Sequence, residues 1–82
     1  MKVLLHPHAL ERLSERGAAE SEVTAVVESG ERFPAKFGRT GFVETLFTAA
    51  TGGGDSIQRQ VEAYAIEEQE SWLVITVVVR YF

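Results

Sequence analysis

The apolar residues change their period at Gly30, and that change limits the folds open to the chain. Before it, Ala9, Leu10 and Leu13, and then Val23, Val26 and Val27, recur at helical spacing. After it the pattern alternates, as it does along a strand with one face turned inward. Two helices followed by a meander of strands predict an α+β domain. Its expected form is two N-terminal helices packed on one face of a curled antiparallel sheet of about four strands.

Local signals set the boundaries. Pro7 suits the first turn of a helix, where its fixed φ helps and its missing N–H costs nothing. Gly17 stands where a C′ glycine closes a helix, so the first runs from about Pro7 to Arg16. The second spans about Glu20 to Ser29 and stops at Gly30, with a weak start. Ala19 lacks the hydroxyl that would complete a capping box with Glu22, leaving Ser21 as a less regular substitute.

Beyond Gly30, Pro34 keeps the first extended segment at an edge or irregular, and Phe33, Phe37, Gly38 and Gly41 read as a bent ribbon. Phe42 to Ala49 is expected as a strand. Gly52-Gly53-Gly54-Asp55 reads as a hairpin tip, because no Lys-Ser/Thr follows the glycines as a phosphate loop would require. Gln58 to Ile66 and Trp72 to Phe82 are the two clearest strands, and the polar Glu67 to Ser71 between them favours a hairpin. Val74, Thr76, Val78, Arg80 and Phe82 would share one face of the last strand. That strand is apolar on both faces, so it is expected to be central or to pair with a second copy, which makes a homodimer a candidate.

At 82 residues the chain is expected to be one domain, 1–82. The run from Leu73 to Val79 falls far short of the roughly 20 apolar residues of a membrane span, and Met1 to Leu5 is too short for the apolar part of a signal peptide. No membrane association is expected, and the cytoplasm is the default location. There is no cysteine, hence no disulfide framework or thiolate metal site.

The net charge of −4 argues against coating nucleic acid by bulk attraction, but its distribution matters more. Residues 1–41 balance six Lys and Arg against six Glu, whereas residues 42–82 set Arg59 and Arg80 against six acids. A polyanion would therefore meet the N-terminal half.

His8, Arg12 and Arg16 repeat every four residues and stack along one helix face, a cationic ladder with one titratable rung. Such a ladder is also what a solvated face looks like, with Glu11 and Glu15 neutralising the arginines. His6 and His8 are the only histidines; without further ligands or an HExxH spacing they do not make a metal site, and no cofactor is expected. The ribbon from Gly30 to Gly41 interleaves Arg32, Lys36 and Arg39 with Phe33 and Phe37, which suits phosphate contact and base stacking. Equally, the two rings could fill core. Arg59, Tyr64, Arg80 and Tyr81 form a last cluster, in which Arg80 needs a partner such as Glu62 or Glu44.

His8-Ala9-Leu10-Glu11-Arg12-Leu13-Ser14-Glu15-Arg16-Gly17 resembles the HA-x-x-R-x-x-x-R-G signature of a small bacterial family of uncharacterised domains. The likeness continues through Glu22-Val23, the Gly30 to Phe42 ribbon and Gln60-Val61-Glu62 to the final Tyr81-Phe82. That family is grouped with toxin-like ribonucleases of the barnase, colicin and RelE class. The chain departs from it at Thr48 to Ile57, where the family often has a longer stretch with Trp and Lys, and at Arg59, where Lys is frequent.

The resemblance implies a metal-independent endoribonuclease, in which the RNA's own 2′-OH attacks the adjacent phosphate. His8 would then move the proton, and Arg12 and Arg39 would stabilise the phosphorane. Arg16, Lys36 and Arg59 would position the substrate, and Tyr64 or Tyr81 would stack a base. RNA and an antitoxin-like protein are the implied partners. The alternative is a non-catalytic interaction module, a dimeric regulator or toxin-like partner that keeps the fold. The enzyme reading requires His8, Arg12 and Arg39 to meet on one concave surface.

Overall fold

A computed structural model describes residues 1–48 and 57–81. The order of elements is β1 (Lys2–Leu5), α1 (Pro7–Arg16), α2 (Glu20–Ser29), β2 (Glu31–Pro34), β3 (Thr40–Thr48), β4 (Ile57–Glu68) and β5 (Ser71–Tyr81). The glycine-rich turn expected at Gly52–Asp55 lies outside the described residues.

Both helices end as their sequences dictate. Gly17 takes the left-handed conformation at φ 71°, and the N–H groups of Gly17 and Ala18 both bond the Leu13 carbonyl. At the start of α1 the cap is His6, whose Nδ1 accepts the His8 N–H at 3.1 Å. Ala19 has no side chain to cap α2, but Glu22 supplies half of a box by accepting the Ala19 N–H at 2.9 Å.

The sheet has five strands in the order β1-β5-β4-β3-β2. This corrects the expectation of about four antiparallel strands. β1 adds a fifth and pairs with β5 in parallel, making the sheet mixed. The other neighbours are antiparallel. β5 is central from Ser71 to Val74, between β1 and β4; beyond Val74 its outer edge has no strand partner among the described residues.

A bulge decides which β5 residues face inward. Tyr64 pairs with Thr76 and Ala65 with Val74, so Ile75 is an extra residue that flips the alternation. Trp72 and Val74 before it, and Val77 and Val79 after it, are all buried. Val74 therefore does not share a face with Val78 and Arg80, as strict alternation had predicted.

One side of the sheet carries both helices. Ala9 and Leu13 of α1 and Val23, Val26 and Val27 of α2 join Phe42, Val61, Ala63, Ala65, Trp72, Val74, Val77 and Val79 in one core. Each fully buried valine is worth about 1.5–3 kcal/mol relative to exposure. Phe42 and Trp72 meet edge to face at 5.0 Å, and the Arg32 guanidinium lies 5.5 and 5.2 Å from their ring centres. Leu10, expected in the core, is 40% exposed, because Ala9 and Leu13 take the inward positions and turn it to the flank. No helix among the described residues is long and apolar enough to cross a membrane. The opposite side of the sheet has no helix over it among the described residues.

Candidate functional site

Alternation places a second set of strand residues on the open side. Phe33 pairs with Gly41 and Gly41 with Tyr64, which pairs with Thr76; Val43 leads likewise to Glu62 and Val78. A groove of about 530 Å³ runs along this face, lined by Phe33, Tyr64, Thr76 and Val78 from the strands and by Pro34 to Phe37 and Arg39 from the β2–β3 hairpin.

Two features shape it. The hairpin turns through Phe37 and Gly38, with φ 62° and 69°, and closes with the Arg39 N–H on the Lys36 carbonyl at 3.3 Å. That lifts Lys36, Phe37 and Arg39 to the rim. Gly41 makes room beneath: a β-carbon there would stand 2.3 Å from the Phe33 ring. Phe33 thus lies down over Gly41 and meets Tyr64 edge to face at 5.8 Å.

Beside the groove sits a charged group. Glu62 is only 8% exposed; its Oε2 accepts the Tyr64 hydroxyl at 2.7 Å and its Oε1 accepts from Arg80 Nη1. Glu62, and not Glu44, is therefore the partner that Arg80 needs. The hydrogen bond to Glu62, reinforced by desolvation, pushes the Tyr64 phenol above its ordinary range, although Arg80 pulls the other way. Tyr64 is consequently a protonated donor at neutral pH.

The residues expected to act together are split between the two sides. Lys36, Arg39 and Tyr64 line the groove. His8 and Arg12 ride on α1, which lays Ala9 and Leu13 into the core on the helix-covered side. The structure does not bring His8 and Arg12 to Arg39. His8 is exposed, and Arg12 lies 3.5 Å from Glu15 in a surface pair of little energetic weight. No group of residues suited to a metal ion occurs among the described residues.

Of the residues expected at the substrate, Arg59 and Tyr81 tie the helices to the sheet through their side chains, and Arg16 takes part only through its main-chain carbonyl. The Tyr81 hydroxyl donates to the Arg16 carbonyl at 2.8 Å, and Arg59 donates to the Gly17 carbonyl at 3.3 Å and pairs with Glu22. Parity explains the split, since Arg59 and Tyr64 are an odd number of residues apart on one strand and so face opposite sides.

The hydrogen bond from Arg59 holds the Glu22 carboxyl below its ordinary range, against a smaller opposing effect of burial. A carboxylate whose folded pKa is depressed adds stability above its unfolded pKa and loses it as pH falls through the folded value. Stability should therefore fall below about pH 4.3, the unfolded glutamate value, partly through this pair. In Glu22→Gln that part of the acid loss should vanish from denaturant curves taken across this range, while neutral stability drops by about 1–3 kcal/mol. An unchanged acid limb would contradict the assignment.

Phe33 stands among the sequence candidates for base stacking and Glu62 among the partners of Arg80, but the packing of Phe33 over Gly41 and the joining of Glu62 to Tyr64 are not legible in the sequence. The available signal was Gly41, a glycine bordering a strand pattern and thus a mark of close approach. Comparison with family models, curated proteins and solved structures gave no match to this chain.

Proposed function

We propose that the chain is an RNA-binding domain of the toxin-like endoribonuclease type that works through the groove on its open sheet face. The observation that carries the reading is the meeting of Lys36 and Arg39 with aromatic walls beside the Glu62–Arg80–Tyr64 group. Cations beside stacking surfaces are what a single strand requires.

Cleavage by the 2′-OH route needs a proton acceptor, a proton donor and positive charge around the phosphorane. In this reading Glu62 takes the proton from the 2′-OH as the 2′-oxygen bonds to phosphorus. The bond from phosphorus to the 5′-oxygen breaks, and the Tyr64 phenol protonates the departing oxygen. Glu62 then returns its proton to Tyr64 through their direct hydrogen bond, closing the cycle with a 2′,3′-cyclic phosphate and a free 5′-OH. Arg80 and Arg39 stabilise the charge, and Lys36 grips a neighbouring phosphate. Arg39 keeps its expected role, while that of His8 passes to residues of the groove.

Amide chemical-shift mapping with a short single-stranded oligoribonucleotide at low salt tests the location. Shifts should concentrate at Phe33, Ala35 to Arg39, Tyr64 and Thr76 to Val78. Shifts confined to residues 8–16 would return the site to the His/Arg ladder, and none at all would leave the non-catalytic interaction module.

A further inference from the structure

Phe37 occupies a position that suits an aromatic residue badly. It is the first of two left-handed residues in a turn of type I′ geometry, a place usually filled by Asn, Asp or Gly. For a bulky side chain this backbone is an outlier. Burial does not compensate, because Phe37 is 86% exposed. A side chain both strained and unburied adds little to the fold, and strain of this kind is characteristically retained at sites of function.

Its surroundings indicate what the ring meets. The Arg39 guanidinium lies 5.8 Å from the ring centre, and Lys36 precedes it at the groove rim. From Phe33 to Val43 the chain has no acidic residue. An apolar protein side chain would gain nothing from two flanking cations, whereas a nucleobase brings its own phosphates.

We propose that Phe37 is a stacking finger for an unpaired base of single-stranded RNA, with the adjoining phosphates held by Lys36 and Arg39. The proposal rests on the groove being the RNA surface. It further specifies the substrate class, since the base faces of a duplex are already covered by their neighbours and a strand end or loop must supply the exposed one. Little sequence preference follows, because every base has a π-face.

Phe37→Gly separates the ring from the fold. Glycine adopts the left-handed conformation freely, so this variant should melt at a higher temperature than the parent. It should nevertheless bind a single-stranded oligoribonucleotide roughly 5- to 150-fold more weakly, the range seen when one base–aromatic stack is lost. Phe37→Trp should keep the affinity, and the parent should prefer the single strand to a duplex of the same sequence. Equal binding by Phe37→Gly and the parent, or equal binding of duplex and single strand, overturns the finger while leaving the groove in place. A lower melting temperature for Phe37→Gly overturns the premise that the ring is spared by the fold. Failure of the parent to bind any RNA at low salt overturns the groove reading and the finger with it.

Discussion

Glu62→Gln should slow RNA cleavage by about 10²–10⁴-fold, the usual worth of a positioned acid or base, whereas His8→Ala should leave the rate unchanged. The substitution is chosen to spare the fold. Glutamine keeps the shape of the side chain and an oxygen to accept the Tyr64 hydroxyl that Glu62 now receives at 2.7 Å. Arg80 loses its charged partner, but its side chain is 54% exposed and can be solvated in place. What disappears is the proton-accepting charge. Cleavage rates on a single-stranded oligoribonucleotide, with far-ultraviolet circular dichroism to verify folding, compare the parent with both variants. A dead His8→Ala beside an active Glu62→Gln would restore the helix ladder as the catalytic surface.

The fold was largely legible where punctuation is local. Pro7, Gly17 and Gly30 delimit the helices without help from the rest of the chain, and both helices occupy their expected residues. The polar run at Glu67 to Ser71 likewise forms the expected hairpin, turning through Gln69 and Glu70 at positive φ. Strand β1 was not legible, because its four residues are placed by a parallel partner some seventy positions away. The inward residues of β5 escape strict alternation for a different reason. One bulged residue, Ile75, reverses the parity of everything beyond it, and no pattern within the strand announces the bulge.

The site was legible in its parts and not in its assembly. Lys36, Arg39 and Tyr64 could be named as candidates from residue type and neighbourhood. Their meeting depends on which side of the sheet the helices cover, a property of packing that helical periodicity does not reveal. With α1 packed on one side, His8 and Arg12 are separated from Arg39, and Arg59 and Tyr81 bond the helices on that same side. Glu62 gains its importance only from the company of Tyr64 and Arg80 on the open side.

Lys36 and Arg39 should together contribute most of the electrostatic affinity for RNA, despite a net charge of −4 for the whole chain. Each cation that neutralises a phosphate releases counterions, so the logarithm of affinity falls linearly with the logarithm of salt concentration, with a slope of about −0.7 per contact for a single strand. Both side chains stand at the groove rim, free of any described acidic partner in an ion pair. Removing both should weaken binding across all sequences and flatten the slope by about 1.4. Arg12→Ala together with Arg16→Ala removes as much positive charge from the helix-covered side and serves as the control. The direct measurement is the affinity for a single-stranded oligoribonucleotide across a salt series, for the parent and the two double variants. The open face as the RNA surface predicts a flattened slope for Lys36→Ala/Arg39→Ala and the parental slope for Arg12→Ala/Arg16→Ala. The reverse pattern, or a parent that binds no RNA even at the lowest salt, would contradict it.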